Sequence, residues 1–178
     1  MNAILLRISC AMCIGLTTVA GCQAQTKKPM PSPPAETSQT VDGKTVSIKY
    51  SAPSMRGRPI FGALLPYGKV WRTGANPATT LKTEVDLKIG TATVPAGTYT
   101  LYSLPSAGTW QLIINKQTGQ WGTEYHQDRD LARVDMTKET LSSPQEVMSI
   151  TLEPFQGKTS SLHVRWETTD VSVPVVAE

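Results

Sequence analysis

Four cations crowd one short stretch of this chain. Arg56, Arg58, Lys69 and Arg72 fall within residues 56–80, together with Tyr67, Trp71 and Asn76. Guanidinium forks grip carboxylates and phosphates in a bidentate fashion. Indole and phenol faces stack on flat or apolar ligand surfaces. A loop that joins cations, aromatics and an amide is therefore suited to an anionic or sugar-like ligand, and Trp121 from a second irregular segment extends the set. The same residues admit a structural reading. The cations pair with Glu84, Asp86, Asp128 or Asp130 and hold the loop down, while the aromatics plug the core. The two readings differ in one observable, namely whether Arg56, Arg58 and Arg72 are buried against carboxylates.

A second set lies in residues 116–130, where Trp121, Tyr125, His126, Asp128 and Asp130 occur close together. His126 with Asp128 or Asp130 has the residue types of a general acid–base pair, which makes a hydrolase the enzymatic alternative. The plain alternative is a solvated loop with a capping aspartate. Metal binding is not expected. The only histidines, His126 and His163, are far apart and lack His-x-His or His-x-x-x-His spacing, and Asp128 with Asp130 lacks a spaced oxygen-ligand loop. No Gly-x-Ser-x-Gly elbow and no phosphate-cradling glycine loop before a helix occurs, so no cofactor is implied.

The elements that must position these groups read as strands. Val46, Ile48 and Tyr50 alternate with Ser47, Lys49 and Ser51; Trp110, Leu112 and Ile114 alternate similarly, as do Leu162, Val164 and Trp166. This period of two predicts strands over 38–41, 45–51, 79–84, 85–89, 98–104, 109–115, 131–136, 146–153, 160–167 and 171–175. Asp42-Gly43 is a hairpin turn, and 98–104 carries large apolar residues on both faces. Pro174 marks the last strand as an edge or a bulge. Residues 59–65 are expected to make one short helical turn, since Pro59 fits a first helical position and Pro66 stops it. Short strands with frequent turns and no long amphipathic helix predict an all-β fold, an antiparallel β-sandwich or jelly-roll-like domain, with a small closed barrel as runner-up.

The chain start sets a compartment. Arg7 precedes an uncharged apolar run that is too short to span a bilayer and ends in Val19-Ala20-Gly21-Cys22. This resembles a bacterial lipobox, which implies a signal peptide over 1–21, lipidation of Cys22 and attachment to a membrane. Gln23 after the cysteine favours the outer membrane, facing the periplasm. Residues 22–37 are proline-rich and read as a tether; 38–178 is the single domain. All three cysteines, Cys10, Cys13 and Cys22, precede that body, so it holds no thiol for a disulfide or a nucleophile. The charge balance is 17 Lys and Arg against 14 Asp and Glu, without a clustered basic face, and no nucleic-acid partner is expected.

One stretch is specific enough to suggest a family. Arg56-Gly57-Arg58, Ile60-Phe61-Gly62, Leu64, the run Pro66 to Asn76 and Ala78-Thr79-Thr80 resemble the signature of the DUF2911 family, as do Val94-Pro95-Ala96-Gly97-Thr98-Tyr99, Trp121-Gly122 and the strand around Trp166-Glu167. That family is bacterial, mostly exported and of unknown function, so the resemblance implies a β domain of the cell envelope and no reaction. The expectation is a lipid-anchored domain that binds a small or glycan-like ligand through Arg56, Arg58, Tyr67, Lys69, Trp71, Arg72, Asn76 and Trp121. A hydrolase using His126, Asp128 or Asp130, and a purely structural envelope module, are the alternatives.

Overall fold

The structure is a computed structural model that describes residues 31–178. The expected signal peptide, Cys22 and the start of the tether lie outside the described residues. Nine strands follow in order: β1 (Pro34–Val41), β2 (Lys44–Ser51), β3 (Thr79–Thr83), β4 (Leu87–Ile89), β5 (Ala92–Val94), β6 (Gly97–Leu104), β7 (Trp110–Asn115), β8 (Asp130–Leu152) and β9 (Thr159–Ala177). All pairings are antiparallel, in the order β1-β2-β3-β6-β7-β8-β9-β4-β5. The all-β antiparallel expectation therefore holds. Alternation is its cause: Val46 and Ile48 of β2, Leu112 and Ile114 of β7 and Leu162, Val164 and Trp166 of β9 point inward and are buried.

β8 divides the sheet into two layers. Its first part pairs with β7, from Asn115↔Asp130 to Trp110↔Met136. Its remainder pairs with β9, from Thr137↔Ser172 to Leu152↔Leu162. Inward residues of both layers, including Leu81, Leu101 and Val134 from one and Ile89, Ile150 and Val173 from the other, join in one apolar cluster. Side chains stitch the open side. Gln39 Nε2 donates to Leu152 O at 3.1 Å, and Thr37 Oγ1 accepts from Leu152 N at 3.1 Å. The edge is thereby covered without a ladder.

Three local expectations change. Residues 34–37 belong to β1 rather than to the tether, with Pro34 at the first strand position, where its missing N–H is tolerated. Residues 131–136 and 146–153 are parts of one strand, as are 160–167 and 171–175. The register of β8 slips between Thr140 and Gln145 and again before Ser149, and Pro144 falls within the first slip, where no ladder bond needs its nitrogen. Residues 59–65 form a closed turn rather than a helical one: Leu65 N and Ala63 N both donate to Ile60 O, at 2.8 and 3.3 Å, while Gly62 N donates to Leu65 O at 2.9 Å. The 3-10 turn among the described residues is Gln127–Arg129.

β9 also turns a corner. Seven residues of extended strand span roughly 23 Å, yet His163 Nδ1 lies 2.9 Å from Asp170 Oδ1. The chain bends at Glu167, which adopts φ 55. Asp170 is buried and holds both His163 and Arg165, whose Nε donates at 2.7 Å. The corner aims the Glu167 carboxylate at the 56–80 segment, where it accepts from Ile60 N at 3.2 Å and lies 3.5 Å from Phe61 N.

Candidate functional site

The 56–80 segment runs over one end of the sandwich and is fixed by its backbone. Trp71 and Ser103 of β6 exchange two N–H to carbonyl bonds of 2.8 Å. Gly68 N donates to Pro105 O at 2.9 Å, and Ala75 N to Ser51 O at 3.1 Å. Thr73 is fully buried at φ 49, an uncommon conformation for a β-branched residue. Its strain is held in place by Thr73 Oγ1 against Ser103 Oγ at 2.7 Å and by Thr79 Oγ1 donating to Thr73 O at 2.9 Å. Asn76 also lies at positive φ, at 58.

The aromatics of this segment divide into two groups. Trp71 is 6% exposed, and Phe61 is half-buried beside it. Phe61 meets Trp110 edge-on with centroids 4.7 Å apart, and Trp71 stacks on Trp166. This four-ring cluster is core. Tyr67, by contrast, is 43% exposed and Trp121 is 51% exposed.

The two irregular segments meet. Gly122 N donates to Asn76 O at 3.2 Å, and Ala78 N to Gln120 O at 3.4 Å. Gly122 is required by close approach: a Cβ there would lie 2.2 Å from Arg72 Cδ and 2.7 Å from Asn76 O. The Arg72 stem therefore lies directly across the Gly122 backbone.

The three arginines do not pair with carboxylates among the described residues. Arg56 is exposed, and its Nη2 donates to Pro31 O at 3.1 Å. Arg58 is exposed too; its Nε donates to Met55 O and its Nη2 to Ser54 O, both at 2.9 Å. Arg72 is half-buried, and its Nε has no solvent contact and no hydrogen-bond partner among the described residues. A buried guanidinium N–H left unpaired is costly, and such groups call for an explanation.

Two depressions flank Arg72. The larger, about 390 Å³, is walled by Pro53, Arg58, Leu64, Leu65, Trp71, Arg72, Gly74, Ala75 and Trp166. The smaller, about 230 Å³, is walled by Leu65, Pro66, Lys69, Val70, Trp71, Arg72, Tyr102, Gly122, Thr123 and Tyr125. Leu65, Trp71 and Arg72 are common to both, so Arg72 stands in the partition. Of the eight residues singled out in the sequence, Arg58, Lys69, Trp71 and Arg72 reach these depressions, whereas Arg56, Tyr67, Asn76 and Trp121 lie outside their walls. Leu64, Trp166 and Tyr102 were missed as wall residues. Trp166 was legible only as an inward strand residue, and nothing in its pattern connects it with the distant loop.

Asp130 is taken up by structure. It accepts from Asn115 Nδ2 at 2.9 Å, Tyr125 OH at 2.6 Å and Arg133 Nε at 3.0 Å. Burial first, then the hydrogen bond to the Asp130 carboxylate, push the Tyr125 phenol up to about 12. His126 and Asp128 line a separate depression of about 370 Å³ with Lys116, Gln117 and Arg129. Asp128 lies within the 3-10 turn Gln127–Arg129, and Asp130 is not among the residues that line this depression.

No curated protein and no solved structure matches the chain. The family model described as "Protein of unknown function (DUF2911)" matches residues 32–175, which takes in β1 to β8, β9 as far as Val175, the 56–80 segment and both walls of the Arg72 partition. The chain belongs to the DUF2911 family.

Proposed function

We propose that this protein is a cell-envelope lipoprotein whose β domain binds a small ligand in the cleft beside Arg72. The observation that carries the reading is the Arg72 guanidinium, which lines both depressions and has no hydrogen bond or ion pair among the described residues. A ligand oxygen in either depression would accept from the edge of the guanidinium that faces it. The walls are mostly apolar with few charged groups, which is the usual make-up of a small-molecule site. Trp71 contributes a buried wall rather than an exposed platform.

The test is a thermal-shift screen of the domain against envelope glycans and small anions, run in parallel on Arg72→Gln. A ligand of the cleft raises the melting temperature of the wild type in proportion to its concentration over Kd, and Arg72→Gln loses that shift. Identical shifts in both proteins refute the site.

The envelope part of the proposal rests on Val19-Ala20-Gly21-Cys22 and on Gln23 after it. It places the protein on the outer membrane, facing the periplasm, through a lipid on Cys22. Labelled palmitate is expected to enter the wild type and not Cys22→Ser; equal labelling, or recovery of both in the soluble fraction, contradicts it.

A further inference from the structure

What the cleft walls offer narrows the occupant. Among the described residues that line the larger depression, the charged groups are Arg58 and Arg72. In the smaller they are Lys69 and Arg72. Arginine and lysine donate hydrogen bonds and accept none. Neither wall contains Asp, Glu, Asn or Gln.

The remaining polar groups are largely engaged. Trp71 Nε1 donates to Gly74 O at 3.0 Å and Trp166 Nε1 to Glu146 O at 3.2 Å, so both indoles offer only apolar faces. Tyr102 OH donates to Glu124 O at 2.7 Å and accepts from Gln120 Nε2 at 3.0 Å. Tyr125 OH donates to Asp130 and accepts from Arg133, each at 2.6 Å. A sugar hydroxyl is a donor as well as an acceptor. A neutral glycan would therefore bring donors into a site with no carboxylate or amide side chain to receive them, and each buried donor left unmade opposes binding. An acceptor-only headgroup brings no such donor.

Charge and size add to this. Arg58 is already committed through Nε and Nη2 to two backbone carbonyls, which leaves Arg72 as the arginine of the walls whose side chain makes no hydrogen bond among the described residues. One free fork matches one carboxylate. The rest of the larger wall is Pro53, Leu64, Leu65, Gly74, Ala75 and the two indoles, in about 390 Å³, near the small end of the roughly 300–1,000 Å³ range of ligand pockets. We infer that the cleft takes a small monocarboxylate with an apolar body, the carboxylate on Arg72 and the body against Leu64, Leu65 and the Trp71–Trp166 wall. This assignment rests on the cleft being a ligand site.

The test uses 4-phenylbutyrate as the probe, with 4-phenylbutan-1-ol as its neutral counterpart, acetate as the bare headgroup and N-acetylglucosamine as a neutral sugar. Calorimetry gives affinities, and tryptophan fluorescence reports occupancy because Trp71 and Trp166 line the cleft. 4-Phenylbutyrate is expected to bind at least about tenfold more tightly than the alcohol or acetate. Arg72→Gln is expected to abolish that preference, and Arg72→Lys to keep only part of it. Leu64→Glu, at a rim residue that is 46% exposed, is expected to weaken the carboxylate and spare the alcohol, and it serves if Arg72→Gln does not fold. If N-acetylglucosamine binds in an Arg72-dependent way and 4-phenylbutyrate does not, the carboxylate assignment is overturned while the ligand-site reading stands. If 4-phenylbutyrate fails to bind the wild type, or binds no better than the alcohol, the assignment falls. If every probe that binds does so equally to wild type and Arg72→Gln, both readings fall.

Discussion

The indole of Trp71 lies on the indole of Trp166, with ring centroids 6.0 Å apart and 22° between their planes. One ring comes from the irregular 56–80 segment and the other from β9. The contact joins the loop to the layer opposite the one its backbone hydrogen-bonds, since Trp71 N and O are both bound to Ser103 of β6. Trp71→Ala and Trp166→Ala are each expected to destabilise the domain by about 3–5 kcal/mol, the usual cost of emptying a buried aromatic position. Urea unfolding measures this directly. A loss below about 1 kcal/mol would mean the ring stack does not hold the loop.

Glu167 is the second tie between loop and strand. Its carboxylate sits at 3.2 Å from Ile60 N and 3.5 Å from Phe61 N. Glu167→Ala leaves those N–H groups unmade and should cost about 1–3 kcal/mol. Glu167→Gln keeps one acceptor oxygen and should cost less. Equal stability of both variants and wild type, in the same unfolding assay, would show that solvent replaces the carboxylate freely.

Gly122 is predicted to be intolerant of any side chain. The Cβ of Gly122→Ala would fall on Arg72 Cδ and on the Asn76 carbonyl, and only the first of these can rotate away. Overpacking of this kind typically costs about 1–3 kcal/mol, and here it also displaces Arg72. The expected result is a lower melting temperature together with weaker binding of whichever probe Arg72 holds. A Gly122→Ala protein with unaltered binding would disconnect Arg72 from the site.

Alkaline pH gives a further handle. The Tyr125 phenol titrates near 12 in the folded protein because burial and the Asp130 carboxylate disfavour phenolate; its unfolded value is about 10. The raised value means the folded state holds the proton more tightly. That stability is fully present below pH about 10 and is lost as pH rises towards 12. Tyr125→Phe should be less stable at neutral pH but should fall less steeply across that window. Tyr99 and Tyr102 are also pushed up by burial, so a residual slope remains. Identical slopes in the two proteins would exclude Tyr125 as a contributor.

The fold was legible wherever one face of a strand meets the core, as at Val46 and Ile48 or Leu162 and Val164, because burial of alternate residues leaves a period of two. It was not legible where a strand continues through polar residues. Ser142-Ser143-Pro144 and Thr168-Thr169-Asp170 fall in the gaps between expected strands, yet β8 and β9 run on because register slips absorb the proline and Glu167, at φ 55, absorbs the bend. The first half of β1, residues 34–37, was hidden in the same way beneath its proline composition, while 38–41 was legible as a strand. At the site, the position of the cations was readable but not their engagement. Arg58 and Arg72 look alike in sequence, and only the folded chain places the Ser54 and Met55 carbonyls against one and leaves Nε of the other unpartnered. Trp71 and Trp121 also look alike, yet one is core and the other faces solvent, since an aperiodic segment carries no sign of which aromatic turns inward.

Because β8 supplies a rung to both layers, neither layer can come apart while the other stays intact. Melting of the β7 side releases residues 130–136, and the β9 side is then held by a strand with a loose end. The domain should therefore behave as one all-or-none unit. The Arg72 partition leans on Trp71, and through the ring cluster on Trp110 of β7 and Trp166 of β9. A cleft built on both layers exists only when that unit is whole, so occupancy of the cleft doubles as a gauge of the domain's integrity.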